Sequence, residues 1–189
     1  QEAEHLARLA DNTLQLARLD APGVVLRRDW ESAEDLVGAV LRRARQRAPG
    51  RALRARLEPG LPLLLCDAML LTQLLDNLLD NALRHTPPDA PVELLVRRAP
   101  APAGQDTPAG VVLAVRDRGP GVAPAWRQRI FEVFQRGEAA AVSGEGIGPG
   151  RSGTGVGLAV CRAIARAHGG ELVLRPRGHG GSSFECHLP

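Results

Sequence analysis

The chain has 189 residues, a formal net charge of +3 and 44% hydrophobic residues, enough for one domain of ordinary size plus a short appendage. All of the positive charge is arginine, for there is no Lys, and the Arg residues are scattered among Asp and Glu without interleaved aromatics, which argues against a nucleic-acid partner. No apolar run approaches the ~20 residues that span a bilayer, so no membrane contact is expected of this segment, and Cys66, Cys161 and Cys186 are too far apart for a zinc pattern. The three cysteines read as reduced, cytosolic packing residues. The start, Gln1 to Ala7, is polar and shows no secretory leader; opening mid-helix without a Met, it reads as part of something longer.

In chain order, Glu2 to Leu19 has apolar residues at helical spacing and stops at Asp20-Ala-Pro-Gly23. A lone amphipathic helix of this kind usually belongs to a bundle or coiled coil. Val24 to Trp30 reads as a strand, and Ser32 with Asp35 starts a helix running to about Ala48. Arg51 to Leu57 alternates like a half-buried strand, and Leu61 to Cys66 reads as a more fully buried one. Asp67 then caps a helix that Pro87-Pro88 ends. Pro91 to Arg98 and Gly110 to Asp117 are two further strands, joined by a Pro/Ala/Gly-rich loop. A short helix is expected around Pro124 to Phe131. From Gly137 to Gly157 the composition is Gly, Ala and Ser, with little to fix a structure. A helix over Val156 to Ala167, closed by His168-Gly169-Gly170, precedes a hairpin of Glu171 to Pro176 and Ser182 to Leu188. Frequent hairpin-like pairs predict an α+β fold, a mixed, mostly antiparallel sheet with helices on one face.

Three stretches carry chemistry. In the helix after Asp67, Leu71, Leu74, Leu75, Leu78, Leu79 and Ala82 make one apolar face, and Gln73, Asn77, Asp80, Asn81 and Arg84 fall on the other. Asn is a mediocre helix former, yet Asn77 and Asn81 stand side by side at i and i+4, offering amide oxygens that suit a hard cation such as Mg²⁺ shared with substrate phosphates. Asp117 closes a strand and opens an Asp-x-Gly-x-Gly turn with Gly119 and Gly121. A carboxylate there can accept from an exocyclic amine such as that of adenine, and the glycines let a flat ring approach the backbone. Gly153-Thr-Gly-Val-Gly157-Leu158 leads into a helix N-terminus, a natural phosphate seat. It is not a Walker A loop, which needs a Lys, and its glycine spacing does not fit a dinucleotide fingerprint.

The order of these stretches, with Phe131-Glu-Val-Phe134 between the last two, resembles the N, G1, F and G2 boxes of the histidine kinase catalytic domain, in the ATPase superfamily shared with gyrase, Hsp90 and MutL. The resemblance covers about residues 24–189. It implies the Bergerat two-layer α/β sandwich, with a lid at about 134–152 over ATP, preceded over residues 1–20 by the end of a dimerisation and phosphoacceptor hairpin. It also implies that Asn81 is the Mg²⁺ ligand and that Asn77 accompanies it toward the phosphates. Arg84 stands in place of the usual Lys and His85 in place of a frequent Tyr, to stack on adenine. Asp117, with Gly119 and Gly121, would bind the base; Gly153, Thr154, Gly155, Gly157 and Leu158 the phosphates; Arg136 would orient the lid or the γ-phosphate.

Relatives of the gyrase type place a water-activating Glu where this chain has Asn77, and a neutral amide is a poor general base. ATP is therefore expected to be held for transfer to a protein His rather than hydrolysed quickly. None of His5, His85, His168, His179 or His187 lies in the expected phosphoacceptor run, so the acceptor is expected on a dimerisation domain outside this chain. His168 reads as a helix end, and His179 and His187 as surface or edge-strand residues. The implied partners are that domain, a response regulator and, in the full-length protein, a second copy, with the whole protein in the bacterial inner membrane and this part in the cytoplasm. Gln15-Leu-Ala-Arg-Leu-Asp-Ala-Pro-Gly23, Asp29 to Ala39, Arg116-Asp-Arg-Gly-Pro-Gly121 and Ala159-Val-Cys-Arg-Ala-Ile164 resemble the potassium-responsive KdpD group of sensor kinases. The alternatives are a hydrolytic ATPase of the gyrase or MutL type, and an anti-sigma-like serine kinase or interaction module.

Overall fold

The computed structural model describes residues 2–19, 21, 24–100, 110–133 and 155–189, with the side chains of residues 2–8 outside that description. Its spine is helix α3, Ala68–His85, preceded in the chain by α1 (Glu2–Leu19), β1 (Asp29–Glu31), α2 (Ala33–Arg47), β2 (Leu53–Leu57) and β3 (Leu64–Cys66). After it come β4 (Val92–Arg98), β5 (Val111–Arg116), α4 (Gly157–Ala167), β6 (Glu171–Pro176) and β7 (Ser182–Leu188).

The apolar stripe of α3 is fully used: Leu71, Leu74, Leu75, Leu78 and Leu79 are 0% exposed. A buried leucine contributes on the order of 1.5–3 kcal/mol, so this stripe anchors the core. Asp67 starts the helix by accepting from the Leu70 N–H at 3.2 Å. Thr86 is extended, as a residue before Pro prefers, and stops it. Ser32 caps α2 in the same way, accepting from the Asp35 N–H at 3.3 Å.

The main sheet has the order β2-β4-β5-β7-β6. Its β2–β4 pair is parallel and its other pairs are antiparallel. A parallel pair needs a crossover, and the chain from β2 through α3 to β4 supplies it. Val92, Leu94 and Val96 of β4, Val111, Leu113 and Val115 of β5, and Phe184, Cys186 and Leu188 of β7 join one buried cluster with α2, α3 and α4. The helices therefore share one face of a two-layer α+β sandwich, as expected. On the other face Glu185 is 4% exposed yet compensated, with Arg97 and Arg175 each 3.4 Å away and Ser183 Oγ donating at 3.0 Å.

Several local expectations are corrected. The strand expected over Val24 to Trp30 is only Asp29–Glu31, paired with β3 in a separate two-stranded ribbon. Its length is limited by the three-residue partner, and Val24 and Val25 are exposed with no core to cover. Leu61 to Cys66 is not a fully buried strand: Leu64 and Cys66 point inward while Leu63 and Leu65 are exposed, so strand alternation overrides the apolar run. Instead of one short helix, Pro124–Trp126 and Arg129–Phe131 form two 3₁₀ turns. His187 lies on β7, an interior strand, rather than at an edge. The segment read as Gly137 to Gly157 lies outside the described residues up to position 154.

Helix α1 packs on the same body. Leu9, Leu16 and Leu19 lie against the core, and the Gln15 and Gln73 amides pair with each other across α1 and α3.

Candidate functional site

Asp117 follows the last residue of β5, the central strand, and is 5% exposed. Its Oδ1 accepts two backbone N–H groups, from Gly119 at 2.8 Å and from Ser182 at 3.2 Å. The Asp117 N–H in turn donates to the Ser182 carbonyl at 2.9 Å. With Oδ1 committed, Oδ2 is the oxygen left to meet a further donor. Burial pushes the carboxyl above its ordinary range, against the pull of the Gly119 and Ser182 N–H groups and of nearby His85 and Arg177.

The end of α3 comes directly against this turn. A Cβ at Gly119 would stand 2.6 Å from the His85 carbonyl oxygen, so only glycine lets the turn and the helix end meet. Gly121 adopts φ +78°, in the left-handed region. His85 is exposed, Arg84 is half-buried, and both make contacts within the described structure.

One and two turns earlier on α3, Asn81 and Asn77 are half-buried. Asn77 Nδ2 is buried and makes no close hydrogen bond among the described residues, its side chain lying against the Cys161 thiol of α4. This part of α3 packs along α4, where the Cys161 thiol approaches the Leu74 carbonyl at 3.5 Å. Burial raises the Cys161 thiol far above its ordinary range and Cys186 to about 12, so both act as apolar packing groups. Cys66 is likewise buried and raised to about 11.

The N-terminus of α4 is open in a useful way. Its cap, Val156, is buried and makes no side-chain cap bond, so the cap residue itself does not satisfy the first helical N–H groups. Gly155 has φ +69°, and nothing among the described residues lies within 4 Å of a Cβ built on Gly157. Leu158 is partly buried against the core and holds the helix entry in place. Phe131 of the second 3₁₀ turn packs edge-on against Phe184, with ring centroids 6.4 Å apart, and lies under the Arg162 guanidinium of α4. Asn77, Asn81, Arg84 and His85 thus share α3, whose end meets the Asp117 turn and whose middle packs on α4. Arg136, Gly153 and Thr154 lie outside the described residues.

Three contributors escaped sequence reasoning. Arg177, Gly181 and Ser182, in and after the β6–β7 turn, form the wall behind Asp117. A Cβ at Gly181, where φ is +89°, would collide with the Asp117 carbonyl oxygen. The Gly180-Gly181 pair was the available signal, since paired glycines often mark positive φ or a close backbone approach.

A family model described as histidine kinase-, DNA gyrase B- and HSP90-like ATPase matches residues 66–189. The chain belongs to this family. Among curated relatives of the chain, the sensor protein DivL of Caulobacter vibrioides is 35% identical over 189 residues, covering 99% of this chain and 22% of DivL. The sensor protein KdpD of Escherichia coli K12 is 32% identical over 191 residues, covering 100% of this chain and 19% of KdpD. The chain therefore spans about a fifth of the length of these relatives. Among solved structures, full-length ShkA in complex with AMPPNP superposes with a TM-score of 0.79 at 29% identity, covering 100% of this chain and 36% of that one. The mycobacterial sensor histidine kinase MprB gives a TM-score of 0.66 at 25% identity, covering 82% of this chain and 93% of MprB.

The residues present fit a nucleotide with its cation. The carboxylate keeps one oxygen for a base amine, Asn77 stands as a neutral amide on α3, and the α4 entry offers N–H groups that no cap side chain meets among the described residues. No group of three or more His, Cys, Asp or Glu that could hold a metal occurs among the described residues. A divalent cation here would therefore depend on amide oxygen, water and phosphate, the donor set that Mg²⁺ accepts.

Proposed function

We propose that this chain is the ATP-binding catalytic domain of a sensor histidine kinase, which passes the γ-phosphate of ATP to a His on a dimerisation segment outside the chain. The observation that carries the reading is Asn77. The position is a neutral amide whose Nδ2 is buried toward the Cys161 thiol of α4, so no carboxylate activates water there. A neutral amide orients without accepting a proton, which favours transfer to a delivered nucleophile over hydrolysis.

In this reading Asp117 Oδ2 accepts from the adenine amine, and His85 stacks on the base from the end of α3. Asn81 holds Mg²⁺, Asn77 orients the phosphates, and Arg84 adds charge beside them. Gly155, Gly157 and Leu158 present the α4 N–H groups to the phosphate chain, helped by the helix dipole. Mg²⁺, when bound, neutralises charge on the phosphate oxygens. Arg136, Gly153 and Thr154 are assigned to the lid and the phosphate loop by their place in the boxes.

The wider reading is a homodimeric kinase that signals to a response regulator. Its membrane anchor would lie outside the described residues, among which no helix is long and apolar enough to cross a bilayer. The finer reading is a KdpD-like kinase controlling potassium uptake, supported by the flanking runs and by 27% and 32% identity to two KdpD proteins. DivL, at 35%, is an equally good sequence match, so regulator choice decides that point.

The test combines binding and transfer. With Mg²⁺, AMPPNP is expected to raise the melting temperature of the chain, and ATP to phosphorylate an added dimerisation segment on His. Steady phosphate release without that segment would favour the hydrolytic ATPase, and phosphoserine on a partner the anti-sigma-like module. No thermal shift, together with an Asn81→Ala variant that behaves as the parent, would refute the proposal.

A further inference from the structure

Arg177 stands just past β6, and its side chain is 16% exposed. Nη1 donates to the Asp117 carbonyl oxygen at 2.8 Å, and Nη2 lies 3.4 Å from Glu93 Oε2 on β4. The turn is closed by the Arg177 N–H donating to the Gly181 carbonyl at 3.2 Å. Ser182, at its far end, both accepts from the Asp117 N–H and donates to Asp117 Oδ1. One turn therefore grips Asp117 at its amide, its carboxylate and its carbonyl.

The charge around Arg177 is finely set. Arg116 and Arg118 repel the guanidinium, while Glu93 and Asp117 attract it. A two-armed guanidinium can hold a carbonyl and a carboxylate at once, which a point-charge ammonium cannot. The chain after Asp117 reads Arg-Gly-Pro-Gly, in which Pro120 is rigid but Gly119 and Gly121, the latter at positive φ, give the backbone freedom on either side of it. Without the Arg177 strut, the Asp117–Arg118 peptide loses the one hold on its carbonyl among the described residues, and the carboxylate is left to the Ser182 and Gly119 bonds.

We infer that Arg177, held by Glu93, is a positioning residue for base recognition, fixing the Asp117 turn so that Oδ2 is presented to the six-amino group of adenine. The inference rests on the nucleotide reading above. A merely structural Arg177 would support all nucleotides alike, whereas a positioning one acts only on those that carry the amine.

The experiment is calorimetric titration of the whole chain and its variants with ATP and with ITP, which carries a keto oxygen in place of the six-amino group. The parent chain is expected to favour ATP by about tenfold or more, since a buried acceptor left unpaired penalises the analogue. Arg177→Gln is expected to weaken ATP by about three- to tenfold and to leave ITP nearly unchanged, shrinking the ratio. Arg177→Lys should restore part of it, and Glu93→Gln should shrink it to a smaller degree. Equal weakening of both nucleotides by Arg177→Gln and Glu93→Gln, or no change in either, would overturn the inference while the nucleotide reading stands. A parent chain that binds neither nucleotide would overturn both. Should Arg177→Gln fail to fold, the ratios of Arg177→Lys and Glu93→Gln decide.

Discussion

In the first half of α3 the polar groups are answered by the protein, and in the second half several are not. Asp67 caps the helix, and its own N–H donates to His168 Nε2 at 3.0 Å, while His168 Nδ1 bonds the Ile164 carbonyl at 2.8 Å. Gln73 pairs with Gln15, and Asp76 receives Arg43 at 2.7 Å and Arg47 at 2.8 Å. Further along, Asn77 Nδ2 and Thr86 Oγ1 are buried without close hydrogen bonds among the described residues, and the adjoining Asp117 has an oxygen in reserve. Buried polar groups left unpaired cost about 1–3 kcal/mol each, so such a group signals a ligand or a strain that the fold tolerates for function. The second half is answered in part, since Arg47 reaches Asp80 at 3.3 Å and Arg51 donates to the Leu83 and Thr86 carbonyls, so the difference lies in the Asn77, Thr86 and Asp117 groups alone.

The sharpest test of the contrast is Asp117→Ala against His168→Ala. The first should cut ATP affinity by about 100-fold or more, the loss of roughly 3 kcal/mol of a charge-assisted bond in a buried site, and also lower the urea midpoint, because the Gly119 and Ser182 N–H groups lose their acceptor. The second should lower unfolding stability by about 2–3 kcal/mol, because it orphans the Asp67 N–H and leaves a cavity, with nucleotide affinity nearly intact. If His168→Ala removes nucleotide binding from a folded chain, the two halves are not separable.

The same two groups predict opposite pH responses. Burial lowers the His168 pKa, ahead of the raising bond from Ile164, so the native ring is neutral and the unfolded state takes up a proton first. Its contribution is fully present above the ordinary His value near 6.5 and is lost as pH falls from there through the depressed folded value. Asp117 is raised instead, so the native state holds its proton longer. Its contribution is present below the ordinary Asp value and is lost as pH rises through the raised folded value. Urea midpoints between pH 8 and 4 should fall in the His168 window, and His168→Gln should flatten that fall. Asp117→Asn should change only the more acid part of the profile, where ATP affinity of the parent chain should also begin to weaken.

Much of the satisfied half was legible locally. Asp67 and Ser32 announce helix starts, the leucine spacing fixes which face of α3 is buried, and Asn77 and Asn81 stand out because helices rarely choose Asn. What was not legible is whatever crosses long stretches of chain. Gln15 meets Gln73 over 58 positions, Arg177 meets Asp117 over 60, and Asp67 meets His168 over 101. No periodicity encodes such pairs; they exist only once the sheet order sets β7 beside β5 and α3 beside α4. The misread strands at Val24 and Leu61 fail for a related reason. An apolar run shows that burial is possible but not whether a partner strand is long enough to supply it.

The smallest expected effect is also the most direct probe of the comparison, because Gln73 and Asn77 are both amides and lie one turn apart on α3. Gln73→Ala breaks a partly buried amide pair and should cost about 1 kcal/mol, matched by Gln15→Ala and not added to by the double variant, since the two share one interaction. Asn77→Ala removes a donor that makes no close hydrogen bond among the described residues, so the lost packing is offset by a relieved desolvation cost and stability should change by less than about 0.5 kcal/mol. Nucleotide affinity should respond in reverse, weakened by Asn77→Ala and unmoved by Gln73→Ala. Denaturation midpoints and ATP titrations on the same four proteins read both quantities. Should Asn77→Ala destabilise the chain as much as Gln73→Ala does, its amide is already paired within the fold. The division of α3 into a structural and a receptive half would then have to be drawn nearer to Asn81.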